Sequence, residues 1–152
     1  MSPQNFNKIK EVVREFFEKT TFNLEIEFLP EKDQIISINV KAEEPQVLIG
    51  EGGQTLSEIQ HLLKAMLRKK IDEQFYLNLD INDYKKKKTE YLKELARSAA
   101  DEVSLSKKEK ILPSMQAYER RIIHMELADR SDVVTESLGE EPERKIVVKP
   151  HP

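Results

Sequence analysis

Three of the four glycines of the chain fall within four residues, at Gly50, Gly52 and Gly53. Glycine has no Cβ, so a Gly-x-x-Gly loop lets phosphate oxygens approach the backbone closely. The loop leads into a segment with apolar residues at helical spacing, and the start of a helix offers free N–H groups to an anion. The pattern is typical of an anion-binding loop or, equally, of a simple tight turn. The candidate residues are Ile49, Gly50, Glu51, Gly52, Gly53, Gln54, Thr55 and Leu56.

A second candidate group lies in the C-terminal half of the chain. Arg120 and His124 are four residues apart, which places them on one face of a helix, and Arg121 is next to Arg120. A guanidinium fork and an imidazole can hold one phosphate together. The spacing alone also fits another arrangement, in which Arg120 is solvated or paired with Glu119 or Glu126 and His124 is partly buried.

The run of four lysines, Lys85–Lys88, opens a predicted helix. A solvated face explains these lysines at least as well as contact with phosphate. Cations at a helix N-terminus oppose its dipole, which modestly favours a nearby anionic partner. Tyr84, Tyr91 and Tyr118 can stack on nucleobases, although helical spacing of this kind is more typical of core residues. Both interpretations of the tyrosines stay open at this point.

Catalytic chemistry has little support in the sequence. The chain has no cysteine, which excludes disulfides, thiolate zinc sites and a cysteine nucleophile. His61, His124 and His151 have no Asp or Glu at metal-ligand spacing, and no Gly-x-Ser-x-Gly or His-Glu-x-x-His motif occurs. We therefore predict a protein that is not an enzyme, without catalytic residues, bound metal or cofactor.

The hydrophobic pattern predicts an α+β protein of two small modules joined by a long helix. Residues 1–82 have the order α-β-β-α-β, and residues 83–150 have the order α-β-α-β-β. In the first module, Ser2 and Pro3 begin a helix, a β-hairpin follows, and the second strand runs on through Pro45 into Val47–Ile49. In the second, Asn82 or Asp83 caps the long helix, and a later helix covers 114–128.

Charge is unevenly distributed. The net charge of −3 argues against a protein that coats nucleic acid by bulk electrostatics. Residues 84–130 nevertheless hold 12 basic and 8 acidic side chains, whereas residues 1–83 hold 10 and 15. An anionic partner is therefore expected at the second module.

The first 17 residues mix charged and apolar side chains, so they lack the continuous apolar stretch of a signal peptide or membrane span. This pattern predicts a cytoplasmic protein without direct membrane insertion.

Two stretches resemble known families. Val47–Leu56 resembles the loop of the K-homology (KH) family, in the arrangement found in bacterial Jag proteins. Pro113–His124 resembles the signature of the domain named for its Arg-xxx-His motif (R-three-H), and Thr135–Gly139 with Glu141, Pro142 and Arg144 resembles its closing segment in Jag. Together the resemblances span about residues 20–150 in the order of the family. Jag proteins often carry a further N-terminal domain, and we expect this chain to lack it.

The resemblance implies a single-stranded RNA-binding protein, a post-transcriptional or cell-elongation regulator of the Jag type. A KH domain grips about four unpaired nucleotides with the loop and an apolar groove, here lined by Ile49 and Leu56. Arg120, Arg121 and His124 would hold phosphate. A small KH-domain protein or a second copy of the chain is the implied protein partner. Family loops usually carry a basic residue between the glycines, whereas this one has Glu51 and Gly52.

Three hypotheses follow. In the first, both modules bind single-stranded RNA, with single-stranded DNA as a further candidate. In the second, the protein is an assembly adaptor: the acidic KH surface docks a protein and only the C-terminal module binds nucleic acid. The third, a metal-dependent nuclease, has no motif in its support.

Overall fold

The computed structural model describes residues 1–152. The chain forms two compact units, Met1–Lys85 and Lys86–Pro152, each with helices packed on a three-stranded sheet. The predicted α+β class is confirmed. None of the helices is long and apolar enough to cross a membrane.

The first unit has three helices and a mixed sheet. Its elements are α1 (Pro3–Glu18), β1 (Leu24–Phe28), β2 (Ile35–Ala42), α2 (Pro45–Ile49), α3 (Gln54–Arg68) and β3 (Tyr76–Ile81), with a 3₁₀ turn at Glu51–Gly53 before α3. The sheet order is β1-β2-β3, with β1 antiparallel and β3 parallel to β2. Because a parallel neighbour needs a crossover, the chain passes through α2 and α3 between β2 and β3.

The core of this unit follows directly from the two hydrophobic periods. Ser2 Oγ accepts a hydrogen bond from the Asn5 N–H at 3.2 Å and Pro3 is the first helical residue, so the predicted start of α1 is confirmed. The inward side chains of α1 and α3 pack on alternate residues of β2 and β3. The fully buried members include Ile9, Val13, Ile36, Ile38, Leu56, Leu63, Leu67, Leu79 and Ile81.

The prediction that the second strand continues through Pro45 was wrong. The strand ends at Ala42, and Pro45–Ile49 forms the short helix α2. Pro45 occupies the start of α2, where its fixed φ suits a helix, and the Gly50 N–H closes the turn on Gln46 O at 3.0 Å. The first unit therefore has the order α-β-β-α-α-β.

Of the two residues expected to cap the long helix, Asp83 directly precedes it, whereas Asn82 bonds elsewhere. Asp80 Oδ1 accepts from the Lys85 N–H at 3.0 Å, close to the start of α4 (Tyr84–Ser106). The side chain of Asn82 instead bonds both backbone groups of Ala42, at 2.8 and 3.0 Å. Asn82 thus prolongs the pairing of β3 with β2, a long-range contact that local spacing does not reveal.

The second unit has the predicted order α-β-α-β-β. After α4 come β4 (Lys110–Ile111), α5 (Ala117–Leu127), β5 (Val133–Leu138) and β6 (Lys145–Pro150), in an antiparallel sheet of order β4-β6-β5. Its core joins α4 and α5 to the sheet through Leu92, Ala96, Ala99, Ala100, Val103, Leu112, Ile123, Leu127, Val133, Ile146 and Val148.

Helix α5 begins three residues later than predicted. Met115 donates its N–H to Arg144 O at 3.1 Å, which holds the preceding segment beside the end of the β5–β6 connection. Gln116 then caps the helix together with Glu119, whose carboxylate accepts from the Gln116 N–H at 3.0 Å.

Candidate nucleic-acid interface

The glycine loop is held in a conformation that requires glycine at Gly50. Its φ of +74° and ψ of 178° belong to a region that residues with a Cβ rarely adopt. A Cβ at this position would lie 2.2 Å from Thr55 Oγ1 and 2.9 Å from the Thr55 backbone nitrogen. The backbone of Gly50 is therefore packed directly against the first turn of α3.

The other two glycines differ from each other. Gly53 has a φ of +82°, and a Cβ there would lie 2.8 Å from Cε1 of Tyr84. Gly52 also has a positive φ, of +60°, but a Cβ there would meet no atom within 4 Å. Gly50 and Gly53 thus anchor the loop, while Gly52 lies exposed at its tip.

The remaining predicted loop residues divide into exposed and supporting positions. Glu51 and Gln54 are exposed, and the Gln54 amide donates to Glu58 Oε1 at 3.3 Å. Ile49 and Thr55 are half-buried, whereas Leu56 is only 1% exposed and lies in the core. Leu56 therefore supports the loop from inside and offers no accessible groove surface.

The electrostatics of the loop are mixed. No side chain caps the start of α3, but the Gly53 N–H bonds Gly50 O at 3.3 Å and the Gln54 N–H bonds Glu51 O. The dipole of α3 still places a partial positive charge at this end of the helix. The exposed carboxylate of Glu51 lies in the same turn and opposes an incoming phosphate. The loop combines the positive end of a helix dipole with one repelling charge.

Arg120 is a buried residue that links separate segments of the second unit. The residue is 7% exposed; its Nη1 donates to Met115 O and its Nη2 to Glu141 Oε1, each at 2.6 Å. Its carboxylate partner is neither Glu119 nor Glu126. The guanidinium instead joins α5 to the segment before it and to the β5–β6 connection.

His124 lies one turn further along α5 and is half-buried. Its Nδ1 is 2.6 Å from Thr135 Oγ1 on β5. Burial, and to a lesser degree the positive charge of Arg120, lowers the pKa of His124 below its ordinary value. At neutral pH the imidazole is therefore uncharged in the folded protein, with Nε2 as the ring nitrogen not engaged by Thr135.

Arg121 is the accessible cation of the predicted group. Its side chain is exposed and forms no ion pair. The three predicted residues are thus close together on α5, but they differ in state: Arg120 is buried and paired, His124 is half-buried and neutral, and Arg121 is exposed.

Two contacts of this site could not be foreseen from spacing. Thr135 is an inward residue of β5 that fixes His124. Arg144 holds the β5–β6 turn, donating from Nε to Ser137 Oγ at 2.8 Å and from Nη1 to Gly139 O at 2.6 Å. In the sequence, both residues are marked only by lying in the segment that resembles the closing part of the R-three-H domain.

The tyrosines are split between core and surface. Tyr84 packs against the core of the first unit and lies beside Gly53. Tyr91 and Tyr118 are 60% and 45% exposed. The core interpretation thus fits Tyr84 alone.

Comparison with known families agrees with these folds. Residues 7–111 match the KH domain model, and residues 90–150 match the R-three-H domain model. Each of three relatives bears the name RNA-binding protein KhpB. The Clostridium symbiosum protein is 36% identical over 78% of this chain and 53% of its own length. The Bacillus subtilis protein is 31% identical over 78% and 58%, and the Lactiplantibacillus plantarum protein is 32% identical over 84% and 39%.

A Gly-x-x-Gly loop between two helices, on a sheet with β2 parallel to β3, defines a KH domain, and here an R-three-H domain follows it. The chain belongs to the KH domain family, and it has the combination of KH and R-three-H domains that the resemblance to Jag proteins implied. It spans roughly half the length of the curated relatives that it matches. None of these matches is to an enzyme family.

The glycine geometry predicts unequal effects of two similar substitutions. Gly50→Ala should lower the free energy of unfolding by about 2 kcal/mol or more, because strained backbone and a clash with Thr55 combine. Gly52→Ala, which meets open space, should cost about 1 kcal/mol from its backbone conformation alone. Urea denaturation measures both values, and equal losses would contradict the structure.

The environment of His124 predicts a pH-dependent stability. Because its pKa is lower in the folded protein than in the unfolded chain, the unfolded chain binds the proton more readily. The His124 contribution is therefore fully present above about pH 6.5 and is lost as the pH falls through the lowered folded pKa. Urea denaturation between pH 7.5 and pH 5 should show a weaker pH dependence in His124→Gln than in wild type. His61→Gln, at an exposed position, serves as the control and should behave as wild type.

Proposed function

We propose that the protein binds single-stranded RNA through both of its units. It acts as a cytoplasmic post-transcriptional or cell-elongation regulator of the Jag type, without enzymatic activity, metal or cofactor. The observation that carries the proposal is the presence of KH and R-three-H domains in one chain, with Gly52 and Arg121 of their signature segments exposed. The relatives are named RNA-binding protein KhpB, which supports the proposal.

In the first unit, the proposed contact with phosphate is made by the backbone and not by positively charged side chains. In the proposal, a phosphate approaches the exposed backbone of Gly52, where no Cβ obstructs it, and the positive end of the α3 dipole. Gln54 supplies a side-chain amide at the rim, and the half-buried Ile49 supplies apolar surface to a base. Glu51 weakens this contact, so the first unit is the weaker of the two binding surfaces.

The second unit presents one exposed cation, Arg121, next to two residues that are held by hydrogen bonds, Arg120 and His124. Arg121 contacts phosphate directly, and His124 contributes through Nε2 while Thr135 holds its Nδ1. Arg120 is a positioning residue: it fixes Met115 and Glu141, and its positive charge remains close to His124. We propose that these three residues carry most of the affinity for the backbone of the strand.

Protein partners belong to the same proposal. The proposed partner is a small KH-domain protein or a second copy of the chain. The first unit, with five more acidic than basic residues over 1–83, is compatible with a protein interface. No observation specifically favours the adaptor alternative, in which this unit binds protein only. Cross-linking separates the two: RNA adducts at both Gly50–Gly53 and Arg120–His124 support binding by both units, and adducts only at Arg120–His124 support the adaptor.

Binding to the phosphate backbone predicts a defined salt dependence. If the two surfaces neutralise about four phosphates, log affinity should fall against log salt concentration with a slope near −3, at about −0.7 per phosphate. Fluorescence anisotropy of a labelled unstructured RNA across a salt series measures the slope. An affinity that does not change with salt would be incompatible with the proposal. RNA that stays intact with added magnesium or manganese would exclude the nuclease hypothesis.

The carboxylate in the glycine loop provides a gain-of-function prediction. Glu51→Lys should tighten RNA binding and steepen the salt slope by about 0.7, because a repelling charge becomes one further phosphate contact. Glu11→Lys makes the same charge change on the exposed side of α1 and should have a much smaller effect. If the two variants bind alike while Arg121→Ala still weakens binding, the glycine loop does not contact RNA.

A further inference from the structure

Two exposed tyrosines in the second unit, Tyr91 and Tyr118, are linked through Lys88 and Glu119. Lys88 Nζ lies 5.7 Å from the centre of the Tyr91 ring on α4. The same Nζ is 3.5 Å from Glu119 Oε1 on α5, and the Tyr118 hydroxyl donates to that oxygen at 3.4 Å. Lys88, Tyr91, Tyr118 and Glu119 therefore form one connected group, here termed the tyrosine platform.

The core of the unit does not account for these rings. Helix α4 buries Leu92 and Ala96, and α5 buries Ile123 and Leu127, whereas neither Tyr91 nor Tyr118 belongs to the core cluster or its margin. Both rings keep about half of their surface exposed. Large exposed aromatic groups that do not stabilise a core often mark a binding surface.

Glu119 holds the platform together without presenting a bare negative charge. The residue is 6% exposed, and its carboxylate also accepts from the Gln116 N–H at 3.0 Å. Its charge is compensated by Lys88, and its oxygens are occupied by Tyr118 and Gln116. This removes the repulsion that an exposed carboxylate would exert on a phosphate.

The surroundings of the platform are cationic. Lys87 is exposed one turn before Tyr91 on α4, and Arg121 is exposed one turn after Tyr118 on α5. Glu90 is the single acidic residue between 84 and 93, where four lysines precede it and Lys93 follows. Aromatic rings interleaved with cations fit a partner that carries both flat bases and phosphates.

We propose that the tyrosine platform is a base-stacking subsite for single-stranded nucleic acid. Tyr91 and Tyr118 each stack on a nucleobase, Lys88 strengthens the contact by its position near the Tyr91 ring, and Lys87 and Arg121 hold the flanking phosphates. The inference rests on the proposed function and deepens it, because it adds recognition of bases to a unit otherwise argued to bind backbone. Stacking accepts every base, so the subsite confers affinity for unpaired strands without a strict sequence preference.

The test separates base contacts from phosphate contacts. Anisotropy measures the affinity of the full chain for an unstructured oligonucleotide and for an abasic strand of the same length. Tyr91→Leu and Tyr118→Leu should each weaken binding of the base-bearing strand by roughly 5- to 150-fold, the range expected for one lost stacking contact. Binding of the abasic strand should not change. Tyr91→Phe and Tyr118→Phe, which keep the rings, should bind the base-bearing strand within about twofold of wild type.

Tyr76→Leu is the matched control, since Tyr76 is 51% exposed in the first unit. Thermal unfolding of each variant verifies that the fold is retained. Leucine variants that bind the base-bearing strand as wild type does, that weaken both strands equally, or that are no weaker than Tyr76→Leu would overturn the inference. In each of those cases salt-dependent binding by wild type leaves the proposed function standing. A wild-type protein that binds neither strand would reject both.

Discussion

The glycine loop depends on the absence of two Cβ atoms. At Gly50 the missing atom leaves room for the Thr55 side chain and backbone, and at Gly53 it leaves room for the Tyr84 ring. Both residues also have a positive φ, which other residues adopt only at a cost. At Gly52 the space left by the absent Cβ stays open, and in our proposal a phosphate approaches the backbone there. Structure and proposed function at this site have one physical origin.

In the second unit, the arginine of the signature motif is buried. Arg120 forms its hydrogen bonds within the protein. Arg120 gives hydrogen bonds to Met115 and Glu141 and so holds the surroundings of His124 in place. A buried guanidinium without such partners would be strongly unfavourable. In our proposal, direct contact with a strand falls to Arg121 and to Nε2 of His124, and by our further inference to Tyr91 and Tyr118. The motif that identifies the domain serves as its framework, and neighbouring residues provide its accessible surface.

The local signals in the sequence were reliable where a single element decided the outcome. Ser2 and Pro3 begin α1, the alternating residues of β1 and β2 form a hairpin, and the second unit has the predicted order of elements. Predictions failed where a distant contact competed with local pattern. Asn82, which resembles a helix cap, bonds Ala42 instead, and Val47–Ile49, apolar and β-branched in part, turn into a helix after Pro45.

Periodicity, turn residues and the two family signatures are properties of short stretches of chain, so the sequence by itself determined the α+β class, the order of elements in the second unit and the two candidate binding segments. The tertiary structure decided which of the signature residues reach the surface. Leu56 and Arg120 are buried, whereas Arg121, Tyr91 and Tyr118 are exposed. Exposure depends on which elements pack against each other, and that packing is set by contacts between residues far apart in the chain.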